Sequence, residues 1–460
     1  MPLPSSAIRA SASYWRAISP NRLRRVGQFC LALLLLATPA GRAGQPPIDL
    51  ARAQEYFDDA RTASRRDHGA LWGEELYGPI LFVDADSRAV VANQPDAEGK
   101  LERRGDVYVG KLPDAVGVAN TATRWAGVDW TMVIWPLPEF RQARVRLLVH
   151  ECFHRIQARI GLPAQDSNNS QLDAREGRIW LEMEWAALEH AIWSQGPARR
   201  KAVADALYFR AYRRSLFPGS AAREDALELN EGLAEYTGVK LSSESLEEFA
   251  MLADDTLRGA ADRHPNFVRS FAYVSGPAYG FLLDAAGGLW RRGLTPQSDL
   301  GELLARAYGV QVPETQRTEA VGKARVYDGD ELIAVETRRD QDRQARLAEL
   351  RRRFVEGPVL ALPVEAEFNY GFNPNNVLSI DEDSTVYLGD VQVSDVWGIL
   401  KATGGFMLVR RGGRVVRVQV PAPSVTNASP LKGKGWTLDL APAWTLAPGP
   451  RPGDFTIKPK

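Results

Sequence analysis

From Glu139 to Ile160 the chain contains no glycine or proline. Pro136 and Pro138 stand before this segment, and Gly161 and Pro163 stand after it. Those residues start and stop helices, so Glu139–Ile160 is expected to be one helix. Inside it lies His150-Glu151-Cys152-Phe153-His154. Residues four apart share a helix face, so both imidazoles can reach one ion. Glu151 sits about 100° round from His150, close enough to face a water at that ion without ligating it. Leu147, Leu148 and Phe153 suit a helix buried beneath a cleft. Cys152 points away from the histidine face and is expected to be a small buried packing residue. His-Glu-x-x-His on a helix is the pattern of a zinc site with the glutamate as general base. It uses two of the five histidines in the chain, and with only two cysteines any metal site must be built from His and carboxylates.

Residues 1–43 read as a secretory signal, not as folded domain. Arg9, Arg16, Arg22, Arg24 and Arg25 precede an apolar run from Phe29 to Ala37, and small residues follow at Thr38, Ala40, Gly41 and Ala43. The run is shorter than the roughly 20 apolar residues a membrane span needs. Cys30 lies at its start, which argues against a lipid-anchored cysteine. The expected location is therefore periplasmic or secreted, with no membrane span after cleavage. The full chain balances 57 Lys+Arg against 57 Asp+Glu. The leader holds six Arg and no acid, so the mature chain would carry 51 against 57, a mild acidity that offers nucleic acid no partner. One cysteine would remain, which excludes an internal disulfide.

The rest of the chain divides by pattern into an α+β fold. Ile80–Asp84, Ala89–Asn93, Asp106–Val109 and Trp125–Trp135 are expected strands of a mostly antiparallel sheet. Expected helices are Glu139–Ile160, Arg175–Trp193, Pro197–Ser215, Ala221–Thr237, Asn266–Trp290 and Leu300–Ala307. Lys323–Tyr327 and Glu331–Val335 flank Asp328-Gly329-Asp330 and predict a hairpin. A charged connector helix is expected over 337–356, and a small all-β domain, sandwich-like, over 357–460. The stretch Trp180–Trp185 is expected to be a helix over the cleft, with Glu182 and Glu184 facing solvent.

A catalytic zinc site needs a third protein ligand and an open position. Asp173, Glu176, Glu182, Glu184, Glu231, Glu235, His190 and His264 are candidates between which spacing does not choose. Asn230-Glu231-Gly232-Leu233-Ala234-Glu235-Tyr236, however, resembles the N-E-G-x-A-x-Y helix of the gluzincin peptidases, specifically the aminopeptidase N and glycyl aminopeptidase families. That resemblance implies a thermolysin-like catalytic domain over 44–336, with Glu231 as third zinc ligand. Glu235, one turn on, would hydrogen-bond a ligating histidine. Tyr273-Val274-Ser275-Gly276 and Phe281-Leu282-Leu283-Asp284 resemble the Y-x-K-G…L-L-D stretch of the same families, with Ser275 in place of Lys. This implies Tyr273 as oxyanion donor, with Tyr279 as the alternative. Gly127-Val128-Asp129-Trp130 occupies the place of the families' substrate-edge strand, which would put Asp129 against a substrate amine. The segment from His154 to Glu231 is far longer than the corresponding one in aminopeptidase N.

These readings lead to an exported zinc-dependent peptidase acting on peptides or proteins. Glu151 would be the base, Tyr273 the oxyanion donor, and His150, His154 and Glu231 the zinc ligands. The rival from another class is a non-catalytic exported binding protein that retains the same scaffold.

Overall fold

The computed structural model describes residues 47–460, except 114–115, 166, 372–375 and 382. The expected leader at 1–43, with Cys30, lies outside the described residues. The chain is mixed α+β with a small all-β C-terminal region, and it forms two compact units that meet between Tyr327 and Asp328. No described helix is long and apolar enough to cross a membrane.

The first unit opens with helix α1 (Leu50–Asp67), which no sequence signal above anticipates. Strands β1 (Ile80–Asp84), β2 (Ala89–Ala92), β3 (Glu102–Arg104), β4 (Val107–Lys111), β5 (Thr121–Trp125) and β6 (Val128–Trp135) follow. They form one sheet in the order β3-β4-β2-β1-β6-β5, antiparallel at every pair except β1–β6. Ile80, Leu81, Phe82 and Val83 are all buried, because both faces of β1 are covered. Leu81 and Val83 pack with Trp130 and Met132, while Phe82 stacks on Phe57 of α1 at 4.4 Å. The run Trp125–Trp135 proves to be a turn and a strand, not one strand. Ala126 and Gly127 both adopt positive φ (48° and 77°), the paired left-handed geometry that reverses a tight hairpin.

Among the described residues, ten more α-helices follow in this unit: α2 (Arg141–Gln157), α3 (Arg175–Trp193), α4 (Gly196–Leu216), α5 (Ser220–Leu227), α6 (Leu233–Ser242), α7 (Leu246–Leu257), α8 (Ala260–Arg263), α9 (Ser270–Ala286), α10 (Leu300–Tyr308) and α11 (Arg317–Ala324). A single π turn, Glu228–Gly232, joins α5 to α6. α2 packs on β5 and β6, and its Arg144 is anchored to α1 through Asp59 (2.8 Å) and the face of Tyr56. Two close approaches set the site's geometry. A Cβ on Gly238 would lie 2.5 Å from the Arg146 carbonyl oxygen of α2, and one on Gly276 would lie 2.2 Å from that of Gly232. Glycine at these positions lets α6 meet α2 and lets α9 meet the π turn.

Glu182 and Glu184 correct an expectation. Their side chains are 11 % and 0 % exposed, so neither faces solvent. Glu184 enters a buried lattice in which Arg210, Arg213 and Arg214 of α4 meet Glu184, Glu224, Asp225, Glu228 and Asp299. Helical spacing had read the carboxylates as a solvated face, and the matching arginines one helix away reverse that reading.

The second unit begins with a helix at Gly329–Arg351 that ends in a π turn, Arg352–Glu356. The expected hairpin is absent: Lys323–Tyr327 and Glu331–Val335 are both helical. Asp328 takes a left-handed conformation before the new helix (φ 57°), so the Asp-Gly doublet breaks one helical stretch from another. Beyond it, Trp444–Pro448, Phe455–Pro459, Val359–Pro363, Arg414–Pro421, Phe406–Arg411, Ser384–Tyr387 and Val377–Ser379 make one sheet, in that order. Pro423–Val425, Leu431–Gly433, Trp436–Leu440, Gly398–Ala402, Val391–Asp395 and Asn369–Gly371 make the other. Leu360, Val418 and Phe406 from the first pack with Val393, Leu400 and Trp436 from the second, the shared core of a β-sandwich. Leu350 and Phe354 of the helix end cover Val386 and Met407 on the other face of the first sheet.

Candidate metal centre

The expected helix α2 carries His150, Glu151 and His154 as the spacing requires, with Cys152 turned into the core and its thiol pushed up to about 11 by burial. His150 Nε2 and His154 Nε2 lie 3.1 Å apart. Glu231 Oε2, delivered by the π turn, is 3.5 Å from the first and 3.3 Å from the second. Zinc holds tetrahedral ligands at about 2.0–2.1 Å, which places them roughly 3.3 Å from one another. Among the described residues, His150, His154 and Glu231 form the group with this convergence.

Proton accounting sharpens the fit. His150 Nδ1 donates to Glu235 Oε2 at 2.6 Å, since a carboxylate only accepts. His154 Nδ1 donates to Gln157 Oε1 at 2.9 Å, and the Gln157 amide is oriented by its own donation to the Leu229 carbonyl. Histidines that hold a metal are neutral, and in that state each ring would turn a bare Nε2 lone pair toward the other and toward a carboxylate. Three converging acceptors repel unless a cation lies among them. The same demand shows in the titration of His150. Burial opposes its charge, yet hydrogen bonds to Glu231 and Glu235 push its pKa up to about 10. Those residues fit a zinc ion.

The surroundings hold each ligand in place. Glu235 accepts from Arg146, one turn before His150 on α2, so Arg146, Glu235 and His150 form a chain of hydrogen bonds. Burial pushes the Glu235 carboxyl up, but Arg146 and His150 outweigh it and hold the pKa near 2. Tyr273 of α9 stacks on the His150 ring, with centroids 5.5 Å apart and planes 7° apart, and its hydroxyl donates to Glu231 Oε2 at 2.6 Å. Burial and the Glu231 charge push the Tyr273 phenol well above its ordinary range, so it is a donor at neutral pH. Arg269, half exposed, donates to Glu231 Oε1 at 3.1 Å. Glu151 is buried and its Oε2 has no hydrogen-bond partner. Burial raises its pKa, and the nearby His150 and His154 oppose that rise. An ionisable carboxylate with an uncommitted oxygen beside three convergent ligands is suited to take a proton.

The other candidates fall elsewhere. Asp173 accepts from the Phe267 amide, Glu176 from the Trp180 indole and Arg317, and His190 packs on Tyr327. His264 follows α8 and has its pKa lowered by partial burial. Tyr279, the alternative oxyanion donor, is fully buried and donates to Glu184. Ser275, at the place of the families' lysine, accepts from the Trp185 indole. Asp129 lies at the turn end of the β5–β6 hairpin, mostly exposed and paired with Arg124 at 2.9 Å, and the cluster's hydrogen bonds do not include it. Arg146, Gln157 and Arg269 were not anticipated. Each lies three or four residues from a motif residue, Arg146 and Gln157 on α2 and Arg269 at the N-cap of α9, and that spacing was the available signal. Comparison of the chain with protein-family models, with curated proteins and with solved structures gives no match.

Proposed function

We propose that this chain is an exported zinc-dependent peptidase of the gluzincin type, its first unit arranged like the thermolysin catalytic domain. One observation carries the reading. His150 Nε2, His154 Nε2 and Glu231 Oε2 converge at 3.1–3.5 Å beside the buried, partnerless Oε2 of Glu151. Zinc held by those three residues supplies the Lewis acidity that makes water a nucleophile at neutral pH. Glu151 takes the proton as water attacks the peptide carbonyl, and returns it to the leaving nitrogen. Tyr273, whose hydroxyl donates to Glu231 when no substrate is bound, would turn that O–H to the oxyanion that develops on the substrate. Glu235, itself held by Arg146, keeps His150 in the tautomer with a free Nε2. Asp129 has no part in this scheme, so nothing here favours a free amino terminus, and the substrate class is peptides or proteins. Export follows from the leader at 1–43, to the periplasm or beyond it.

The test is metal analysis of the purified protein together with mass-spectrometric profiling of a peptide library, wild type against Glu151→Gln. One zinc per chain in both, with cleavage by the wild type alone, is the expected result. Zinc without cleavage in the wild type would return the chain to a non-catalytic binding role. Undiminished cleavage by Glu151→Gln would remove Glu151 from its place.

A further inference from the structure

Between His154 and Glu231 the chain builds α3, α4 and α5 before it supplies its third candidate ligand. The inner side of that insert carries the arginine–carboxylate lattice, and one of its residues adjoins the third candidate ligand. Glu228, fully buried, opens the π turn that contains Glu231. Its two oxygens accept from both terminal nitrogens of Arg210, at 2.7 and 2.5 Å. Arg210 is itself held by Glu184 (3.3 Å), Asp225 (3.1 Å) and Asp299 (3.3 Å), which come from three further segments. In an α-helix, positions three apart lie nearly on one face. The wider turn, closed by the Leu233 amide on the Glu228 carbonyl, spreads them. Glu228 therefore faces the lattice while Glu231 faces the histidines. Gly276 of α9 presses on the Gly232 backbone and clamps the same turn from another side.

We propose that the Arg210–Glu228 ion pair is a positioning device for the third metal ligand, holding the π turn in the form that aims Glu231 at His150 and His154. The proposal rests on the metal reading above and gives the long insert a purpose: it braces Glu231. Arg210 and Glu228 are positioning residues that touch neither metal nor substrate. Glu224 belongs to the same lattice but pairs with Arg213 and Arg214 and accepts from Gln171, not from Arg210, so it serves as the control.

The experiment measures Zn2+ affinity by competition with a chromophoric chelator, and the visible spectrum after Co2+ substitution, in full-length Glu228→Gln, Glu224→Gln and Glu231→Gln. Melting temperature is recorded for each. Glu228→Gln should bind Zn2+ about tenfold or more weakly, with a Co2+ spectrum displaced toward that of Glu231→Gln. Glu224→Gln should lose melting temperature while keeping wild-type affinity and spectrum. Arg210→Lys, which keeps the charge but loses the two-pronged contact, gives the same comparison if Glu228→Gln does not fold. Wild-type affinity and spectrum in the Glu228 and Arg210 variants would overturn the brace alone. Equal weakening in the Glu224 control, in step with melting temperature, would also overturn it. A wild-type chain that takes up no Zn2+ would overturn the metal reading and this proposal with it.

Discussion

The first unit buries charge in two places, and they are built in opposite ways. In the lattice around Arg210, Arg213 and Arg214, carboxylate oxygens meet guanidinium N–H groups, and only the Nε atoms of Arg210 and Arg213 lack an acceptor. Around His150 and His154, two imidazole nitrogens and a carboxylate oxygen converge on one point. The two Nε2 atoms face each other and Glu231, while the Nδ1 atoms bond Glu235 and Gln157 and the Tyr273 hydroxyl donates to Glu231. The first cluster pairs opposite charges and holds the fold, reaching toward the site where Glu228 opens the turn that bears Glu231. The second gathers three metal-ligand atoms that call for positive charge among them, which makes it the candidate for chemistry.

Breaking the comparison at its centre should have the largest effect. His150→Ala or His154→Ala should abolish stoichiometric zinc and all zinc-dependent turnover, read by elemental analysis and peptide cleavage. Retention of one zinc per chain in either variant would reject the ligand set. Chelation should likewise lower the melting temperature of the wild type but not that of His150→Ala. Tyr273→Phe should retain zinc yet lose on the order of a hundredfold in kcat; an unchanged kcat would return Tyr273 to a packing role. Glu235→Gln keeps the shape but weakens the hydrogen bond to His150, so zinc affinity should fall about ten- to a hundredfold.

Glu224, the lattice member set apart from the Arg210–Glu228 pair, predicts a different readout, stability without metal. Burial pushes the Glu224 carboxyl up, but Arg213 and Arg214 outweigh it and hold its pKa near 2, against an ordinary 4.5. Its folded pKa is depressed, so its stabilisation is fully present above about pH 4.5 and is lost as pH falls toward 2. Glu224→Gln should cost about 3 kcal/mol at neutral pH. Its unfolding free energy should also fall less steeply than the wild type's between pH 4.5 and 2. Parallel curves over that window would show that Glu224 does not carry the acid dependence.

How much was legible can be followed residue by residue. The α2 helix and its face were readable because punctuation and period act locally: Pro138 and Gly161 bound it, and four-residue spacing pairs His150 with His154. Glu231 and Glu235 were reachable through a resemblance of their local motif, and the structure brings both beside His150. Arg146, Gln157 and Arg269 were latent in the helical period, since each is one turn from a motif residue. Helix α1 was missed although its Phe57 and Tyr56 anchor it, because those aromatics only acquire meaning against Phe82 and Arg144. The hairpin expected around Asp328-Gly329 failed because the doublet reports a break in the chain, not the kind of element on either side.

Glu184 and Asp129 mark the boundary most clearly. Both are acids on amphipathic elements, and nothing local separates them. Glu184 is sealed by arginines from α4 and by Tyr279 from α9, while Asp129 stays at the surface with Arg124. The sequence by itself determined a helix with two histidines and a glutamate on adjoining faces, because those features depend on neighbours within one turn. Only the tertiary structure decided which carboxylate completes the group and which ones are locked away. That choice depends on charges brought together from distant segments, and on two glycines that let backbones approach closely enough for them to meet.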